Sequence, residues 1–87
     1  MTIPVIIRPE AELDLAAAQI WYEAEREGLG LEFRAAVSHS IELIRSHALM
    51  FPTVLRTIRR ALLIRFPYAL FFEPEEGLRA AYLACSR

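Results

Sequence analysis

Arg59-Arg60-Ala61-Leu62-Leu63-Ile64-Arg65-Phe66-Pro67-Tyr68-Ala69-Leu70-Phe71-Phe72-Glu73 is an arginine-studded apolar run broken once, by Pro67. Proline cannot donate to a sheet ladder, so the run reads as two strands, Arg60 to Arg65 and Tyr68 to Glu73, joined at Phe66-Pro67. Downstream, Pro74-Glu75-Glu76-Gly77 offers proline and glycine where a four-residue turn wants them, and Leu78 to Ala84 reads as a last strand. Upstream, Val54 to Ile58 reads as a short strand or the approach to one.

Before Pro52 the period is helical. Ile3-Pro4-Val5-Ile6-Ile7 is a short β-branched strand whose Pro4 suits a strand start or edge. Pro9 stands where a first helical residue belongs, and Glu10 and Glu12 favour the positive end of a helix dipole. Leu13, Ala17, Ile20, Trp21 and Ala24 recur at helical spacing as the expected core stripe. Gly28-Leu29-Gly30 stops this helix and permits a reversal. A second helix starts near Leu31, with Phe33, Val37, Ile41, Ile44 and Ala48 as its stripe, and Phe51-Pro52 ends it. The expected order is β-α-α-β-β-β, a single α+β domain over residues 1–87. Its helical hairpin packs on one face of a small, antiparallel-rich sheet. Both sides of the last two strands are apolar, which leaves the covered face undecided.

Composition narrows the function. Eighty-seven residues with 55% hydrophobic content make one domain, whose apolar excess is either a tight core rich in Ala and Leu or surface for a partner. No apolar run approaches the ~20 residues of a membrane span, and the start lacks a signal peptide's basic, long-apolar pattern. A single cysteine, Cys85, gives neither disulfide nor metal framework. These features point to a cytoplasmic protein that needs no cofactor.

The net charge of −1 conceals a polarity: residues 1–42 hold eight acids and three arginines, residues 43–87 seven arginines and three acids, and lysine is absent. Nucleic-acid binders usually carry a larger basic excess, so this balance argues for a protein target or a small, focused patch.

Most polar residues read as surface. His39 and His47 lie two helical turns apart, about 12 Å, too far to share a metal ion. Ser38 and Ser40 flank His39 without a third partner for a nucleophilic triad. Glu23 and Glu27 read as a solvated helix face, and Cys85 as a small apolar filler. Gly28 and Gly30 join helix to helix without the Lys and Ser or Thr of a phosphate loop. The arginines remain. In an unbroken strand Arg59 and Arg65 share a side and Arg60 takes the other. A four-residue turn would set Arg79 opposite Phe72, and Arg87 ends the chain nearby. Tyr68 and Phe72 beside Arg59, Arg60, Arg65, Arg79 and Arg87 make the candidate recognition surface, since arginine and tyrosine dominate binding hot spots.

In order and spacing the chain resembles the RelE/ParE superfamily of toxins from type II toxin–antitoxin modules, known as plasmid-stabilisation proteins. The resemblance rests on several short segments that together span nearly the whole chain. They are Arg8-Pro9-Glu10-Ala11-Glu12 with Asp14-Leu15, Ala18 with Trp21-Tyr22-Glu23, Gly28-Leu29-Gly30 with Phe33, Phe51-Pro52, Arg59-Arg60-Ala61-Leu62-Leu63, and Arg65-Phe66-Pro67-Tyr68. It implies the β-α-α-β-β-β fold, and an antitoxin partner whose disordered C-terminal segment folds onto the toxin as helix and strand, its acidic side chains meeting Arg59, Arg60 and Arg65.

The superfamily divides by mechanism. RelE-like members cleave mRNA on the ribosome with a basic set that includes an arginine directly after the aromatic residue opening the penultimate strand. That position here is Ala69, after Tyr68. Arg60 can stand for one of their lysines and Leu62 cannot, and the late His or Tyr of several cleaving members has no match in Cys85-Ser86-Arg87. RNA cleavage needs a group to take a proton from the 2′-hydroxyl, and arginine stays protonated. The chain therefore resembles the ParE-like branch better, which implies a toxin that inhibits DNA gyrase by binding, with no catalytic residue and no metal. An mRNA endoribonuclease, or a degenerate member that binds antitoxin without toxicity, stands as the alternative.

Overall fold

Pro9 fixes the backbone of the first turn of helix α1 (Pro9–Glu25), with Glu10 and Glu12 beside its positive end. The computed structural model describes residues 5–74 and the backbone of 84–86. Helix α2 (Leu29–His47) follows directly and runs into a 3-10 turn, Ala48–Met50. Gly28 makes the reversal between the helices at φ 88°, a left-handed conformation that other residues adopt only with strain. Gly30 lets the helices close: a Cβ there would sit 2.9 Å from the backbone oxygen of Gln19.

Four strands form one antiparallel sheet in the order β1-β2-β3-β4: β1 (Thr53–Leu55), β2 (Ile58–Leu62), β3 (Ala69–Phe72) and β4 (Ala84–Ser86). The segment expected as one short strand is thus a hairpin, turned at Arg56-Thr57 with Arg56 left-handed at φ 51°. Strand β2 ends three residues before the expected Arg65, because Arg65 is left-handed at φ 70°. That kink aims Phe66 inward. The connection closes with the Leu63 N–H donating to the Tyr68 carbonyl at 3.0 Å and the Tyr68 N–H to that of Phe66 at 2.8 Å.

Val5 and Ile7 pack against the core and Ile6 faces solvent, yet these residues pair with no strand among the described residues. Their alternation is that of a strand, without a ladder among the described residues. Residues 1–4 lie outside the described set, as do residues 78–83 of the expected last strand. Where that strand is described, Phe71 faces Ala84. The four-residue turn would have set Phe71 opposite Ala80, so the observed register is four residues further along.

The fold is α+β, with the helical hairpin on one sheet face. Leu70 and Phe72 of β3 and Ala61 of β2 point to the helices, with α1 against β4 and α2 against β2. Helix α2 buries Phe33, Val37 and Ile44, as its periodicity predicts. Helix α1 does not follow expectation. It buries Ala11, Leu15, Ala18 and Tyr22, whereas Leu13, Ala17, Ile20, Trp21 and Ala24 are all exposed. The reason is that α1 is apolar on two opposite faces. The core takes the one whose alanines let its neighbours approach closely and whose Tyr22 completes an aromatic cluster. Tyr22, Phe33, Phe66 and Tyr68 hold ring centroids between 4.9 and 6.1 Å apart in that cluster.

Candidate functional site

Alternation along β2 sorts the arginines. Arg59 shares the inner side with Ala61, and Arg60 shares the outer side with Leu62. From the inner side Arg59 reaches the chain leaving α2, where its guanidinium donates to the carbonyls of Phe51 and Leu49. It thus satisfies carbonyls left over beyond the helical segment, which otherwise need water or a side chain. Arg59 is a structural brace.

Arg65 does not share a strand side with Arg59, because the kink takes it out of the ladder. Its guanidinium lies 3.5 Å from Glu32 on the first turn of α2, whose other carboxylate oxygen meets Arg26 at 3.1 Å. Glu32 therefore ties the β2–β3 connection to the helix reversal through two exposed ion pairs, each worth little alone.

The Arg60 guanidinium forms no hydrogen bond or ion pair among the described residues, while its backbone N–H donates to the Pro52 carbonyl at 3.1 Å. Opposite Arg60 in the ladder stands Phe71, and opposite Leu62 stands Ala69. With the Phe66–Tyr68 segment these four residues line an open trough of about 450 Å³, walled mostly by carbon and, among the described residues, bearing one guanidinium. Tyr68 belongs to both sides: its ring packs on the core cluster while an edge faces the trough.

Phe72 is corrected by the same register. It is 1% exposed, with its ring edge-on to Phe51 at 5.6 Å, and has no surface to offer a partner. Phe71 holds the position that the sequence reading gave to Phe72. The ladder register was the needed signal, since Phe71 lies opposite the outward-facing Arg60. Arg79 and Arg87 lie outside the described residues.

Glu23 is the other residue that sequence reasoning passed over. Its carboxylate accepts the N–H of Gly28 and the N–H of Gly30, both at 2.9 Å, capping the start of α2 from the end of α1. Those two hydrogen bonds, with the Arg26 charge nearby, hold its pKa below the ordinary value. The signal lay in the two glycines, whose amides approach a carboxylate that no capping box in the local sequence supplies.

His39 and His47 are both exposed on α2, and the His47 Nδ1 lies 2.9 Å from the Ser46 hydroxyl. Among the described residues no three of His, Cys, Asp and Glu converge on a metal position, and no helix is long and apolar enough to cross a membrane. No protein-family model, curated protein or solved structure matches the chain.

Proposed function

We propose that the chain is the toxin component of a type II toxin–antitoxin module, acting by ParE-like binding to DNA gyrase and held inactive by an antitoxin on the outer sheet face. One observation carries the choice of a binding mechanism: the trough there is apolar and, among the described residues, presents a single uncommitted guanidinium, Arg60. A grip on the RNA backbone gathers several cations, because each neutralised phosphate adds to affinity. Here Arg59 is committed to backbone carbonyls and Arg65 to Glu32. An apolar trough rimmed by one arginine and an aromatic ring instead suits the anchoring side chain of a protein. The element order and the sequence resemblance supply the class.

The test is expression in a bacterial host, with purified protein assayed on gyrase in parallel. Inhibited supercoiling with intact transcripts is the expected result. Ribosome-phased mRNA cuts would replace the gyrase target with an endoribonuclease. An undisturbed host carrying the folded protein would remove the toxin assignment. The double variant Arg60→Glu, Phe71→Ala should abolish inhibition without loss of helix, since both side chains face outward. Arg59→Ala should lower stability instead.

A further inference from the structure

Leu13, Ala17, Ile20 and Ala24 are spaced four, three and four residues apart, the seam of a coiled coil, and all four are exposed. Leu13 is 72% exposed, Ile20 71%, and Trp21 beside them 48%. Most surface leucines and isoleucines are scattered; these lie in one line along three turns of helix, opposite the face that α1 buries. The alternation of large Leu13 and Ile20 with small Ala17 and Ala24 offers holes as well as knobs, which a second helix can fill and an extended strand cannot match.

The charges bordering the seam say what kind of helix. Helix α1 has no basic residue between Pro9 and Glu25. On the side toward α2, Glu12 lies 3.9 Å from Arg34, Gln19 accepts a hydrogen bond from Arg34, and Glu23 caps α2. On the other side Glu10, Asp14 and Glu25 form no ion pair among the described residues. A second copy of this chain fits poorly. An antiparallel twofold pairing that sets Leu13 against Ala24 and Ala17 against Ile20 brings the Glu10, Asp14 and Glu25 border of one copy against the same border of the other, acid facing acid. A parallel pairing sets that border against the one bearing Glu12 and Glu23, again with no basic residue on either copy of α1. Like charges across an interface reject a partner, and opposite charges select one.

We propose that the outer face of α1 docks an amphipathic helix from a different protein, one carrying an apolar heptad seam flanked by lysine or arginine. This interface is separate from the sheet trough and does not depend on the toxin assignment. Occupation of both surfaces by one chain would let a partner clasp the domain from two sides.

The experiment uses the whole chain, whose only tryptophan lies beside the seam. Two synthetic three-heptad peptides serve as probes, sharing a leucine seam and differing only in flanking residues, lysine in one and glutamate in the other. The lysine peptide should shift Trp21 emission to shorter wavelength in a saturable way and bind at least about tenfold more tightly than the glutamate peptide. The double variant Leu13→Ser, Ile20→Ser should lose the shift while retaining its helix content. The triple variant Glu10→Lys, Asp14→Lys, Glu25→Lys should reverse the preference. Equal binding of both peptides, or of neither, would overturn the proposal. So would self-association without peptide, which assigns the face to a second copy. An emission already at short wavelength in the free monomer would assign it to another segment of the same chain.

Discussion

Helices α1 and α2 pack side by side, yet one was legible in the sequence and the other misled. Helix α2 has one apolar stripe, and that stripe is the core. Helix α1 has two, and the larger side chains are on the outside. Helical periodicity identifies a helix in both cases; it identifies the buried face only when a single face is apolar. Size does not decide between competing faces. Fit does: Ala11 and Ala18 bring α1 close to its neighbours, and Tyr22 stacks on Phe33 at 5.2 Å.

Truncating the residue on which both helices converge should have the largest effect. Phe33 is fully buried on α2 and meets Tyr22, Phe66 and Tyr68. Phe33→Ala should cost about 3–5 kcal/mol, a large part of the roughly 5–15 kcal/mol that a domain possesses. Urea titration followed by circular dichroism would read it. Retention of near-native stability would mean that the aromatic cluster is not the centre of the core.

Within α1 the two stripes can be set against each other with one residue type. Leu15 is fully buried and Leu13 mostly exposed, two positions apart. Leu15→Ala should cost about 2–5 kcal/mol, and Leu13→Ala should change stability by no more than about 0.5 kcal/mol. Equal losses would show that the outer stripe is covered in the free protein. The reverse order would restore the face that the sequence favoured.

The connection between the helices is the next target. A methyl group at Gly30 meets the Gln19 carbonyl and the Glu23 carboxylate, each at 2.9 Å. Gly30→Ala should therefore destabilise by about 1–3 kcal/mol, as overpacking does. Gly28 has open space around it, so the cost of a side chain there is backbone strain alone. Calorimetry on both alanine variants separates close packing from backbone conformation.

What the sequence disclosed follows the same division. Pro9, the glycine pair, Phe51-Pro52 and Pro67 punctuate the chain, so element order from α1 to β3 was readable. Register was not. The three hairpin arginines, close in sequence, go to three places: Arg59 under the end of α2, Arg60 to the outer trough, and Arg65 to Glu32. Alternation alone places neighbours on opposite faces, but it fails once a residue turns left-handed, and nothing about an arginine announces that Arg65 does so. The replacement of Phe72 by Phe71 on the outer face has the same origin, because which of two adjacent phenylalanines is buried depends on strand pairing.

The smallest expected effect falls at Glu23, where the two helices exchange a carboxylate for two amides. The folded state holds this carboxyl below its ordinary value of 4.5, chiefly through the Gly28 and Gly30 hydrogen bonds. A group with a depressed folded pKa binds fewer protons when folded than when unfolded. Its stabilising contribution is therefore fully present above the unfolded value and lost as pH falls through the folded one. Glu23→Gln keeps an acceptor and removes the charge. Wild type should exceed this variant in stability at neutral pH, and the two should converge as pH falls below 4.5. A difference that stays constant down the pH scale would mean that side-chain shape, rather than the ionised carboxylate, joins α1 to α2. A difference that grows on acidification would reverse the sign of the linkage and remove the cap from the account of how this hairpin is held.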